Sequence, residues 1–243
     1  MQAIILAGGR GERMRPFTDT YPKPMVPVLG KTLIAHQLSQ LEANGIIDVV
    51  VYGSYLQQKL QAYLGDGSNF GVSIEHRVAD FDLGSAGVIK EALTKLPESE
   101  QDALILYGDI FSDINLKALV KDHRSEPRPY ATLAVLEHKN PFGVAKMSGS
   151  LIDSFEEKPT TYENAGIFVV SREMANQLPD QGDFSSHGMQ VMIEKGYHFH
   201  GFVHSGYWWD VRSLDVVSEI EEHFAQEGKI RGETSSAGSG YRK

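Results

Sequence analysis

The opening of the chain is its strongest constraint on fold. Residues 1–7 (MQAIILA) form one short, continuous apolar run, and Gly8, Gly9 and Gly11 follow at once. An unbroken apolar run suits a strand buried on both faces, as in a parallel sheet covered by helices, and the glycines suit a tight loop at the strand's end. The pattern then alternates. Leu33, Ile34, Leu38 and Leu41 recur at helical spacing over 32–44, Gly45 sits where a C-terminal cap belongs, and 49–52 read as the next strand. Residues 56–64 read as helix, 72–76 as strand, 85–96 as helix and 103–107 as an apolar strand ending at Gly108-Asp109. Strands alternating with helices predict an α/β domain on a mostly parallel sheet.

After about residue 128 the rhythm changes to strands at 131–137, 143–147, 151–156 and 165–171, expected to complete the same sheet with antiparallel edge strands. Short helices are expected at 172–178 and 184–195, a strand at 197–204 and an amphipathic helix at 213–227. The spacing thus predicts one domain over 1–227, with halves meeting near 127, and a polar Gly/Ser-rich tail at 228–243 that is loosely ordered. The 243 residues include no cysteine, which excludes disulfides, thiol catalysis and Cys-ligated metal. The 32 acidic against 23 basic residues argue against a nucleic-acid partner. No stretch approaches the roughly 18 apolar residues of a membrane span, so no membrane association and a cytoplasmic location are expected. A homo-oligomer is left open.

An anionic ligand would then need a local basic patch, and residues 6–28 supply one. Arg10, Arg13, Arg15 and Lys23 stand against only Glu12 and Asp19, beside glycines whose N–H groups can approach a phosphate closely. A dinucleotide fingerprint would need a glycine where Met14 stands. Gly30-Lys31-Thr32 resembles the end of a P-loop, but Met25 occupies the earlier glycine position, so Thr32 reads as a helix N-cap.

The segment LAGGRGERMRPFTDTYPKPMVPV, Leu6 to Val28, resembles the opening of the sugar-phosphate nucleotidyltransferases, L-A-G-G-x-G-x-R-[LM]-x-P-x-T followed by P-K-P-[ML]-x-P-[VI], and matches it at every position. The resemblance implies a single Rossmann-like nucleotide-diphospho-sugar transferase domain with a mixed, mostly parallel sheet, a nucleotide-binding half over about 1–127 and a sugar-phosphate half over about 128–227. It implies Leu6 and Ala7 as nucleotide contacts, Gly8, Gly9, Gly11 and Arg13 as triphosphate contacts, and Arg13 and Lys23 as the catalytic cations, Lys23 bridging the α-phosphate and the attacking group. The left-handed β-helix that extends many relatives is expected to be absent.

The resemblance continues at four later points. Leu83-Gly84-Ser85-Ala86-Gly87 is similar to the family's nucleobase segment; Gly84 and Gly87 would leave space for a flat base and Ser85 a hydroxyl contact, although a capped helix start fits the same residues. Asp109, just past a buried strand, sits where open α/β sheets bind ligands and suits Mg²⁺, which takes one or two protein oxygens and completes its shell from phosphate and water. Its implied partner is Asp210, although Arg212-Ser213-Leu214 replaces the family's Gly-Thr-Pro. Phe155-Glu156-Glu157-Lys158-Pro159 resembles F-x-E-K-P, implying Glu157 on a sugar hydroxyl and Lys158 on the sugar phosphate; Asn164 is implied as a further sugar contact, and Gly143 as room for the ring.

His198, His200 and His204 alternate along a strand but lack acidic or cysteine partners nearby, and a half-exposed polar face explains them. Trp208 and Trp209 are expected to pack beside the site. The reaction implied is attack of a sugar 1-phosphate on the α-phosphorus of a nucleoside triphosphate, releasing pyrophosphate, with the G-S-A-G form leaning toward GTP. The alternatives are a cytidylyltransferase for a non-sugar phosphate such as phosphocholine, and a non-catalytic subunit that binds a nucleotide sugar.

Overall fold

A computed structural model of the chain describes residues 1–125 and 127–236. Seven strands make the central sheet: β1 (Gln2–Ala7), β2 (Asp48–Gly53), β3 (Ser73–Val78), β4 (Asp102–Tyr107), β5 (Ala131–Lys139), β6 (Thr160–Ser171) and β7 (Phe199–His204). Their order is β7-β5-β6-β4-β1-β2-β3. All pairings are parallel except those of β6, which runs antiparallel to both β4 and β5. The reversed strand therefore lies inside the sheet, not at an edge as expected. It tolerates that position because its second half, from Ala165 to Val170, is buried and apolar like its neighbours.

Helices α1 (Leu33–Ala43), α2 (Gln57–Leu64) and α4 (Leu116–His123) cover one face, with Ile34, Leu38, Leu41, Leu60, Leu64, Leu116 and Leu119 packed on Ala3 and Ile5. Helix α3 (Gly84–Thr94) and the segment through α5 (Gln190–Glu194) cover the other, with Ile89, Leu93, Phe184 and Met192 against Ile4 and Ile105. This accounts for the uninterrupted apolar run of β1: successive side chains point to opposite faces and both faces are core. Thr32 caps α1, its hydroxyl accepting from Ala35 N–H at 3.2 Å, which agrees with its reading as a cap. Helix α4 is an addition to the expected elements, and Asn115 marks its start by accepting from Ala118 N–H at 3.0 Å.

Two expectations need correcting. Val144–Ser148 and Leu151–Glu156 pair with each other as a separate exposed hairpin and do not join the sheet. The last helix, α6 (Leu214–Ser236), continues past 227 into the segment read as a loose tail; residues 237–243 of that tail lie outside the described residues. The first turns of α6 pack away from the sheet, where Val211 and Ile220 join Met14, Val26, Val28, Leu33 and Phe111 in a third apolar cluster. None of the described helices is long and apolar enough to cross a membrane.

Candidate active site

The strand order reverses direction at β1, with β4 on one side and β2 then β3 on the other. A crevice opens at such a switch point beyond the carboxyl ends of the strands. Leu6 pairs with Tyr107 there, and Gly108 N–H donates to the Leu6 carbonyl at 3.0 Å, so the loops following β1 and β4 leave the sheet side by side. Gly11 is in the left-handed region (φ +60°), where a side chain would be strained and would also press on Thr18 and Lys23 at 3.0 and 3.1 Å. The Thr18 hydroxyl donates to the Gly11 carbonyl at 2.9 Å, and Met14 is fully buried, so the glycine loop is anchored on both sides of Arg13.

Two cavities meet over this loop. One, of about 330 Å³, is lined by Gly8, Tyr52, Ser54, Gly84, Ser85, Tyr107 and Asp183 among others; the second, of about 460 Å³, by Ala7, Arg10, Gly11, Arg13, Lys23 and Arg212 among others. Leu6, Gly9 and Asp109 line both, making them one cleft with a mostly apolar chamber and a cationic chamber. Arg15 is not in it. Its guanidinium pairs at 3.2 Å with Asp19 on the exposed outer side of the loop, which removes it from the basic patch read from sequence.

Asp109 sits at the junction, its carboxylate 2.7 Å from the Lys23 ammonium. The strand Trp208–Asp210 pairs antiparallel with Ile110–Ser112, and Val211 N–H donates to the Asp109 carbonyl at 2.8 Å, so Asp210 is carried to Asp109 by backbone pairing from the far end of the sequence. Burial and the nearby Asp109 charge raise the Asp210 pKa, opposed by Lys23, Arg212 and Arg13. Oδ1 of Asp210 is buried and has no hydrogen-bond partner among the described residues. A buried carboxylate oxygen left unpaired beside a second carboxylate is costly, and a cation held between them would offset that cost. The donor set fits a hard divalent ion such as Mg²⁺ that takes its remaining oxygens from a phosphate ligand. Among the described residues no group of three or more His, Cys, Asp or Glu side chains is arranged to hold a metal on its own.

The glycines of the 84–87 segment have a packing reason besides the one read in sequence, and Gly84 lines the apolar chamber. A Cβ on Gly84 would lie 2.4 Å from the Gly182 carbonyl oxygen, and one on Gly87 would lie 2.2 Å from that of Asp180. They make room for backbone, and Gly87 does not line the cleft. Ser85 does both: its hydroxyl accepts from Phe184 N–H at 2.8 Å and donates to Asp183 at 3.2 Å while facing the apolar chamber. Tyr107 crosses the same chamber. Among the described residues its buried hydroxyl completes no hydrogen bond, and burial pushes its pKa up to about 12 against Ser85 and Ser185, which act to lower it.

Asn164 lies at a register shift in β6, its carboxamide oxygen accepting from Gly166 N–H at 3.0 Å and its amide 3.5 Å from the Ser185 hydroxyl. Glu157 and Lys158 follow the exposed hairpin, outside both cavities, with Lys158 in the left-handed region (φ +51°). Gly143 does not open space for a ring. A Cβ there would meet Phe155 at 2.2 Å and the Glu157 carboxylate at 2.9 Å, so the glycine seats those side chains. Tyr107, Asp183, Ser54 and Arg212 are cleft residues that sequence reasoning missed. Tyr107 was within reach as the neighbour of Gly108-Asp109, whereas Asp183 arrives only through tertiary packing. His200 approaches Asp122 at 3.9 Å and the largely buried His204 pairs with Asp113 at 3.2 Å, so two of the three histidines do have acidic partners, brought in from other elements, contrary to the sequence expectation. Trp208 donates to the Ala165 carbonyl at 2.8 Å, and Trp209 packs on Phe111 and Phe224, so both are packing residues.

The family model described as "Nucleotidyl transferase" matches residues 2–227. A mannose-1-phosphate guanylyltransferase of Mycobacterium tuberculosis is 32% identical over 228 residues, covering 87% of this chain and 61% of its own length, so the chain spans about three fifths of that relative. An N-acetylmuramate alpha-1-phosphate uridylyltransferase of Neisseria meningitidis is 41% identical over 227 residues, covering 91% of this chain and 97% of its own length. The crystal structure of HddC from Yersinia pseudotuberculosis complexed with GMP-PN shares the fold, with a TM-score of 0.71 over 92% of this chain and 99% of that one at 20% identity. Glycine loop, paired carboxylates and a family match spanning both halves lead to one conclusion: the chain belongs to the nucleotidyl transferase family.

Proposed function

We propose that this protein joins a nucleoside triphosphate to a sugar 1-phosphate, releasing pyrophosphate. The observation that carries the reading is the two-chambered cleft at the switch point, with Asp109 at its junction and the unpaired Asp210 oxygen beside it. The apolar chamber suits a base and ribose, and the cationic chamber suits the triphosphate. The N–H groups of Gly8, Gly9 and Gly11 approach phosphate oxygens, and Arg13 faces the departing pyrophosphate. Lys23 neutralises charge on the α-phosphate. Asp109 and Asp210 would hold Mg²⁺, which supplies charge neutralisation and orientation when bound. A phosphate oxygen of the sugar 1-phosphate forms the new bond to the α-phosphorus while the bond to the bridging oxygen of pyrophosphate breaks; no covalent enzyme intermediate is needed, and catalysis is positioning and electrostatics. Asn164, Glu157 and Lys158 take the sugar and its phosphate, with Gly143 fixing Glu157.

Identity of 41% along nearly the whole length of the Neisseria uridylyltransferase supports UTP and N-acetylmuramate 1-phosphate as the first pairing to test. GTP is the second reading, supported by the G-S-A-G segment and the Mycobacterium guanylyltransferase. The phosphocholine and non-catalytic readings are not favoured. The test is Mg²⁺-dependent pyrophosphate release from UTP, GTP, dTTP, CTP and ATP against a panel of sugar 1-phosphates and phosphocholine. Release with a sugar 1-phosphate that is lost in Asp109→Asn supports the proposal. Silence across the panel, or an undiminished Asp109→Asn, refutes it.

A further inference from the structure

Arg212 stands where the family pattern has a glycine, in the turn that directly follows Asp210. Arg212 N–H donates to the Asp210 carbonyl at 2.8 Å, and this tight turn aims the side chain into the cationic chamber, which Arg212 lines with Arg10, Arg13 and Lys23. Two acidic side chains, Glu12 and Asp109, line the same chamber, and Asp109 is engaged by Lys23. The positive charge is therefore in excess there, in a protein whose net charge is −9. Arg212 is felt electrostatically by Asp210 but forms no ion pair with it, nor does its guanidinium have a hydrogen-bond partner among the described residues. A cation placed to satisfy Asp210 would be paired with it. A guanidinium fork left open over a phosphate-sized chamber is instead available for bidentate recognition of a phosphate.

We propose that Arg212 is a polyphosphate-binding residue that grips the β- and γ-phosphates of the incoming nucleotide and then the pyrophosphate product. The proposal rests on the nucleotidyltransferase reading. It makes the chamber selective for triphosphate over monophosphate, and it gives the turn after Asp210 a ligand-binding role in place of a purely structural one.

The experiment compares wild type, Arg212→Ala and Arg212→Lys, using inorganic pyrophosphate, UTP and UMP as probes with Mg²⁺ present and thermal melts to verify folding. Arg212→Ala is expected to weaken product inhibition by pyrophosphate and the affinity for UTP about tenfold, with UMP affinity within about twofold of wild type, and Arg212→Lys to recover part of the loss. Pyrophosphate and UTP affinities unchanged in a folded Arg212→Ala would overturn the proposal. So would equal weakening of UMP, which would indicate that Arg212 only shapes the cleft. Wild type that neither binds UTP nor releases pyrophosphate from any nucleotide overturns the underlying functional reading instead, which separates the two failures.

Discussion

Replacing Tyr107 by Phe should move stability and activity in opposite directions. The Tyr107 hydroxyl is buried without a hydrogen-bond partner; Ser85 and Ser185 lie close enough to affect its titration but neither completes a bond. An unsatisfied buried polar group costs about 1–3 kcal/mol, so removing this oxygen from the free protein should stabilise it by about 1 kcal/mol once the small void is counted. For a chain of this size that is roughly 2–4 °C in melting temperature. Burial holds the hydroxyl in its protonated, donating form to well above neutral pH, with its pKa pushed up to about 12, so an oxygen of bound ligand brought within reach would accept a hydrogen bond from it. Losing that bond should lower kcat/KM about 3–10-fold. The assay is a melt of ligand-free protein beside pyrophosphate-release kinetics for both variants. A lower melting temperature for Tyr107→Phe with unchanged kinetics would show the opposite: a hydroxyl satisfied internally and irrelevant to ligand.

Three further outcomes follow from particular contacts. Asp210→Asn should cut turnover at least about 100-fold and demand more Mg²⁺, while leaving the melting temperature unchanged or raised, because it removes a half-buried charge repelled by Asp109; Mg²⁺ titration of the rate beside a melt checks it. Gly87→Ala should destabilise by about 1–3 kcal/mol, its methyl meeting the Asp180 carbonyl at 2.2 Å, with nucleotide selectivity unchanged, as denaturant melts and a nucleotide panel would show. Burial acts to raise the pKa of Asp102, but hydrogen bonds from His123 and Arg128 outweigh it and hold the carboxyl at about 2. Its folded-state pKa lies below the unfolded value, so about 2 kcal/mol of stability is present at neutral pH and is lost as pH falls from about 4 toward 2. Asp102→Asn should therefore melt lower at pH 7 and converge on wild type in acid.

Much of the fold was legible because β1, β2 and β4 are buried on both faces and write themselves as apolar runs, and because α1 carries both its cap and its period. The interior reversal at β6 was not, since a strand's direction leaves no mark on its composition. The hairpin at 144–156 has strand-like residues such as Val144, Ile152 and Phe155, and nothing local says that they pair only with each other. In the site, the loop residues were readable from their spacing. The reasons for Gly84, Gly87 and Gly143 were not, because the atoms they admit come from Asp180, Gly182 and Phe155, distant or unremarkable in sequence. Arg15 was misplaced for a related reason: a charge count cannot tell which side of a loop a guanidinium leaves from.

The close fit of Gly84 and Gly87 against residues 180–182 also bears on how such a protein can be rebuilt. Ala86 N–H donates to the Gly182 carbonyl and Gly182 N–H to the Leu83 carbonyl, both at 2.9 Å, so the main chain at the start of α3 is stitched to main chain almost a hundred residues later along one wall of the cleft. Segments from either side of this seam are consequently not exchangeable modules. A chimera that joins segments of two relatives across this seam must match it first, and a library that varies residues 180–188 alone alters the apolar chamber without touching the glycine loop.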